Sequence, residues 1–300
     1  GQEIGSPKRD RLSRHKSSST KISNFVPLAE QIPLRILLAE DNNVNQQVAL
    51  LTLQHLGYEA DLVGNGMEAI EALSRKNYDV ILMDVAMPKI DGLTATRMIV
   101  SKCRAAKRPW IIAMTAYAML SDRQKCLAAG MDDFISKPLR VEELVRVLRQ
   151  CKTSPPAPLL RGEGCLTSPT FSTPKVGGDG GYSESPLDAK VWKSLREMAG
   201  AKASTVLPKI INNYLEDAPQ LLQNIREAIA AGDAEALRQS AHTLRSSSAN
   251  LGAMTLSNLC KELEIMGREG NISDAIGIIP QVENEYQNIT TFLQKAILGK

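Results

Sequence analysis

Apolar runs of strand length recur through residues 34–151, and several of them end on polar residues. Leu37-Leu38-Ala39 leads into Glu40-Asp41, and a second run ends in Met83-Asp84-Val85-Ala86-Met87-Pro88. Others end in Met114-Thr115-Ala116 and Ser136-Lys137-Pro138. The repetition predicts parallel strands that deliver acids, a hydroxyl and an ammonium to one edge of a sheet, where open α/β folds hold their ligands. Residues 187–300 follow another rule, with apolar positions at helical spacing and almost no β-branched strand runs. Pro186-Leu187-Asp188 opens one helix. Others are predicted over about 205–217, 219–231, 233–251, 253–267 and 273–298, with Gly232, Gly252 and Gly270 as breaks. Short connections between them point to a helical bundle.

Two stretches have no hydrophobic period. Residues 1–33 are rich in Ser and Lys and end at Pro33, and residues 152–186 alternate Pro with Ser and Thr around Gly177-Gly178-Asp179-Gly180-Gly181. Neither can bury enough apolar area to offset the entropy of ordering, so both read as linkers, the second a flexible tether. The expected division is therefore a disordered basic linker (1–33), an α/β domain (34–151), a Pro/Gly/Ser linker (152–186) and an all-α domain (187–300). The glycine run lacks the preceding strand and following helix that a phosphate-cradling loop needs.

At 300 residues, 43% hydrophobic and 23% charged, the chain is long enough for two cores. No apolar stretch approaches the roughly 18 residues of a membrane span, and the N-terminus lacks the apolar core of a signal peptide. The expected location is cytoplasmic, with no membrane contact by this segment. The chain begins at Gly1, compatible with a piece of a longer, membrane-anchored protein. Five scattered cysteines without a Cys-x-x-Cys pair suggest neither a disulfide framework nor a zinc site. Residues 1–33 hold six Lys or Arg against three acids, so the net charge of +3 belongs to the tail, which reads as a solvated linker. Residues 187–300 carry twelve bases against thirteen acids, which argues against a nucleic-acid partner.

From about Leu34 to Cys151 the strand-end residues together closely resemble a two-component receiver domain. The resemblance implies a flavodoxin-like fold with a five-stranded parallel sheet in order 2-1-3-4-5, and Asp84 as phosphoacceptor. It further implies Mg²⁺ held by Asp41, Asp84 and the Ala86 backbone carbonyl, with Glu40 nearby or acting through water. Oxygen ligands suit that hard cation. Lys137 would neutralise one phosphoryl oxygen and Thr115 would donate to another. Thr115 and Phe134 are the switch candidates, Phe134 reading equally well as a core residue of its strand. Tyr117 occupies a position that influences acyl-phosphate lifetime. Taken singly, Glu40-Asp41 could cap a helix starting near Val44, and Lys137-Pro138 could be a turn. The specificity lies in the set.

In the helical part, Leu237, Ala241, Leu244, Ser248 and Leu251 form one stripe, and His242 points roughly 140° from its centre, toward water. Arg238 and Arg245 fall within about 60° of His242, on the face where a phosphate would meet guanidinium groups. The run Ala241-His242-Thr243-Leu244-Arg245-Ser246-Ser247-Ser248 resembles the motif of the histidine phosphotransfer domain. That resemblance covers most of residues 187–297 and implies a four-helix bundle with His242 as phosphoacceptor. Arg245 stands where Lys is usual. Ser246 stands where Gly is usual, adding bulk where a partner receiver must approach.

A receiver tethered to such a bundle resembles the C-terminal part of hybrid sensor histidine kinases. Phosphate would reach Asp84 from a phosphohistidine on an upstream histidine kinase domain, of the same or a separate chain. It would pass through His242 to the aspartate of a downstream response-regulator receiver. No ATP-binding kinase domain is present in the sequence, so any kinase activity belongs to sequence outside it. The alternative is a phosphorylation-switched docking module with a weak His242.

Overall fold

The computed structural model describes residues 26–102, 108–115, 120–151 and 185–298. Most of both expected linkers, the glycine run and Tyr117 lie outside the described residues. The first domain holds β1 (Ile36–Ala39), β2 (Ala60–Val63), β3 (Val80–Asp84), β4 (Trp110–Thr115) and β5 (Asp133–Ser136) in one parallel sheet of order β2-β1-β3-β4-β5. β1 and β3 are buried throughout, as strands covered on both faces must be, which explains their unbroken apolar runs.

Alternate side chains serve two cores. Ile36, Leu38, Val80, Leu82, Ile112 and Ile135 pack with α2 (Asn43–His55) and α6 (Val141–Gln150). Leu37, Ala39, Ile81, Met83, Ile111 and Ala113 pack on the other face. There they meet side chains of α3 (Gly66–Arg75), α4 (Gly92–Lys102) and α5 (Leu120–Ala129). The register pairs Ala39 with Met83, Asp84 with Met114 and Thr115 with Ser136, bringing the strand ends to one edge. A Cβ on Gly92 would stand 2.0 Å from the Asp84 carbonyl oxygen, so α4 starts hard against the end of β3. Residues 26–33, expected in the linker, differ from that expectation. They form α1 (Leu28–Gln31), whose Leu28 joins the sheet core and whose Ala29 N–H bonds Leu56 O at 3.1 Å. With a proline on either side and only four helical residues, the segment is too short to show a hydrophobic period.

The second domain is helical: α7 (Ala189–Ala199), α8 (Ala203–Ala231), α9 (Ala234–Asn250), α10 (Met254–Glu269), α11 (Ile272–Ala275) and α12 (Ile279–Leu298). Pro219 was expected to divide α8, yet the helix runs through it. Ile210, Ile211, Tyr214, Ala218, Leu222, Ile225 and Ala228 keep one buried stripe across it, while Pro219 sits on the exposed face, where water can serve the carbonyl it leaves unbonded. The helix expected over 273–298 is instead two, broken between Ala275 and Ile279, and Pro280 sits in the first turn of α12, where a missing N–H costs nothing. The predicted α9 stripe is observed: Leu237, Ala241, Leu244, Ser248 and Leu251 are all buried. A Cβ on Gly267 would come within 2.8 Å of the Ala234 carbonyl oxygen and the Arg238 amide nitrogen, so α10 meets α9 backbone to backbone.

The domains share a core. Val44, Val48 and Leu51 on α2 pack into the bundle's apolar cluster, and Asn43 hydrogen-bonds Asp217 on α8. This contact sets the C-terminal edge of the sheet against the face of α9 that carries His242.

Candidate functional site

β1 ends immediately before Glu40 and Asp41, and β3 ends on Asp84. The three carboxylates offer oxygens within 4.8 Å of one another. Glu40 and Asp84 are buried. Lys137, after β5, brings its ammonium between them, 2.6 Å from Glu40 Oε2 and 2.7 Å from Asp84 Oδ2. The backbone N–H of Ala86 donates to Asp84 Oδ1 at 3.2 Å. Asn42, not Glu40 or Asp41, caps α2, accepting from the Asn45 N–H at 3.0 Å. Both acids are thereby free of the capping role.

Burial, with crowding of negative charge behind it, sets the electrostatics. Burial, then the neighbouring Glu40, pushes Asp41 up to about 6. The same two causes push Asp84 well above the usual carboxylate range, partly opposed by Lys137. For Lys137, burial alone would lower the ammonium, but Asp84 and Glu40 outweigh it and raise it. Three acids with one ammonium form a donor set that fits a hard, oxygen-seeking divalent cation.

Thr115, at the end of β4, and Ala86 line the same cavity of about 180 Å³ as Asp84. His242 lines it from the opposite side, with Glu264, Arg238 and Arg268. The structure thus brings the expected residues of both domains into one place. His242 was expected to face water, yet it is only 9% exposed. It does point away from the bundle core, and the receiver edge covers it. Its Nδ1 lies 2.7 Å from Glu264 Oε1 on α10, while Nε2 is buried with no hydrogen-bond partner among the described residues. Arg245, expected beside the phosphate, donates instead to Glu264 Oε2 at 2.9 Å. A carboxylate held by a guanidinium suits the tautomer with the proton on Nδ1, in which Nε2 carries the lone pair.

Sequence reasoning missed Glu264 and Asn45. Glu264 lies on a different helix from His242, and its burial could have been signalled only by its place beside Cys260 and Leu263 on the buried side of α10. Phe134 is half-buried on β5, packs against the sheet core, and carries the Arg123 guanidinium 5.3 Å from its ring centroid.

Residues 36–149 match the family model of the response regulator receiver domain, and residues 209–292 match that of the Hpt domain. The chain is a receiver domain followed by an Hpt domain. Histidine protein kinase 1 of Candida albicans is 42% identical over 148 residues, 46% of this chain and 6% of that protein. The signal transduction histidine-protein kinase BarA of Shigella flexneri is 27% identical over 252 residues, 83% of this chain and 26% of that protein. The chain thus spans a small part of the curated relatives it matches. Among solved structures, the receiver domain of a Pseudomonas aeruginosa sensor histidine kinase, with a magnesium ion coordinated in its active-site cleft, is 45% identical. The match covers 40% of this chain and 98% of that one, with a TM-score of 0.37. Histidine-containing phosphotransfer protein B of the same organism is 32% identical over 39% of this chain and 99% of its own, with a TM-score of 0.36. A receiver and an Hpt domain in one chain make a phosphorelay module. No helix among the described residues is long and apolar enough to cross a membrane.

Proposed function

We propose that this receiver–Hpt pair relays a phosphoryl group between Asp84 and His242. The observation that carries the reading is the shared cavity, lined by Asp84 from one domain and by His242 from the other, whose Nε2 has no partner among the described residues. The group would arrive on Asp84 from a phosphohistidine of a histidine kinase domain and leave His242 for the aspartate of a downstream receiver.

Phosphoryl transfer asks little of a protein beyond positioning and charge neutralisation. The Nε2 lone pair of His242 attacks phosphorus while the bond from phosphorus to the Asp84 oxygen breaks, and its electron pair returns to the carboxylate. Glu264 accepts from Nδ1–H and stabilises the positive charge that the ring gains. Arg245 holds Glu264 in place. Lys137, within 2.7 Å of Asp84, neutralises a phosphoryl oxygen, and Thr115 donates to another. Glu40, Asp41 and Asp84, with the Ala86 carbonyl, would hold Mg²⁺, which when bound neutralises charge on the phosphoryl oxygens. Thr115 and Phe134 would carry the phosphorylation signal within the receiver.

The test is a small-molecule phosphodonor with Mg²⁺, followed by mapping of acid-labile and base-labile phosphate in the wild type, Asp84→Asn and His242→Gln. The reading predicts phosphohistidine in the wild type, acyl phosphate alone in His242→Gln and neither in Asp84→Asn. Phosphohistidine in Asp84→Asn, or its absence from the wild type, would overturn it.

A further inference from the structure

Ser246 stands one turn beyond His242, where the Hpt motif has glycine. Instead of holding the receiver off, its hydroxyl is built into the contact. Asn45 on α2 donates from Nδ2 to Ser246 Oγ at 3.0 Å and to Glu40 Oε1 at 2.9 Å, and its Oδ1 accepts from Asn250 Nδ2 at 2.7 Å. Both amide hydrogens and the carbonyl oxygen of Asn45 are therefore used. Ser246 accepts from Asn45 while donating to the Thr243 carbonyl oxygen at 3.1 Å, so its donor and acceptor roles are both filled. All four side chains, Asn45, Ser246, Asn250 and Glu40, are buried, which makes any unmatched partner costly. The apolar contacts around them, from Val44, Val48 and Leu51, fix no register and would accept many receivers.

We infer that Asn45 and Ser246 form a selectivity and positioning contact, which favours this chain's own receiver over receivers with an apolar side chain at the position of Asn45. A glycine at position 246 would leave the Asn45 N–H unmatched, and a leucine at position 45 would take away the donor to Ser246 Oγ and the acceptor for Asn250 Nδ2. The contact also ties the docked bundle to Glu40, so the acid cluster and the position of His242 are set by one side chain. The inference deepens the relay reading and rests on it for its effect on transfer.

Docking can be read without phosphate, because His242 is covered by the receiver. Carbethoxylation of His242 in the full chain by diethyl pyrocarbonate, followed by mass spectrometry with exposed His55 as the internal reference, reports the undocked fraction. Ser246→Ala and Asn45→Leu should each speed modification of His242 roughly 5- to 10-fold, the size expected when a buried partner is left unmatched. The double variant should react no faster than Asn45→Leu alone. Unchanged rates, or a double variant whose acceleration is the product of the two singles, would overturn the contact. In the same chains, Ser246→Ala should slow transfer from labelled Asp84 to His242 by a similar factor, and an unchanged transfer rate would overturn the positioning role. If wild-type His242 takes no label at all, the relay reading falls while the reactivity cycle still decides the contact.

Discussion

Asp41 offers a prediction with a calculable size. In the metal-free chain its carboxyl is held up to about 6 by burial and by Glu40, against an ordinary 3.8. A group raised in this way binds its proton more tightly in the folded than in the unfolded state. Its contribution to stability is therefore fully present below the unfolded value and is lost as pH rises through about 6. Asp41→Asn stays neutral throughout and loses nothing. Between pH 5 and pH 8 the wild type should therefore lose on the order of 1 kcal/mol relative to Asp41→Asn by two-state linkage, corresponding to a midpoint shift of roughly 0.5 to 1 M urea for a domain of this size. The assay is urea unfolding with a chelator present, followed by Trp110 fluorescence in a Trp192→Phe background so that the signal reports the receiver. Midpoints of the two proteins that move in parallel between the two pH values would refute the electrostatic reasoning. Millimolar Mg²⁺ should narrow the gap at pH 8, because a bound cation supplies the counter-charge that the proton otherwise provides.

Other perturbations follow from the same contacts. Glu264→Gln should slow transfer from Asp84 to His242 roughly 10- to 100-fold in single-turnover labelling, through loss of a charged hydrogen bond, while labelling of Asp84 persists. Lys137→Met leaves Glu40 and Asp84 facing each other without an ammonium. It should destabilise the metal-free receiver by about 3–5 kcal/mol near pH 8 and by less near pH 5, read by urea unfolding. Gly92→Ala should cost the receiver about 1–3 kcal/mol, because its Cβ would meet the Asp84 carbonyl oxygen; an unchanged unfolding midpoint would contradict the close approach of α4 to β3.

Much of this was legible along the chain, because the receiver's functional groups follow directly from strand ends. A buried parallel strand is an apolar run, and its first polar residue marks the edge where Glu40, Asp41, Asp84, Thr115 and Lys137 gather. The α9 stripe was equally direct, since one helix face carries it. What stayed hidden depended on a second element. The burial of His242 comes from the receiver covering it, and Glu264 reaches Nδ1 from α10, 22 residues further on. Ser246 read as bulk because its partner, Asn45, lies 201 residues away. Pro219 misled for a related reason: helix propensity is local, whereas the stripe from Ile210 to Ala228 that holds α8 together is a property of the packed bundle.

The most direct test of the relay begins with chains labelled at Asp84 and freed of phosphodonor, in which label on His242 is followed in time at several chain concentrations. With the receiver edge already facing His242, label should move from Asp84 to His242 as a first-order process whose rate is independent of chain concentration. Label that leaves Asp84 only as inorganic phosphate, with His242 bare throughout, would contradict the account.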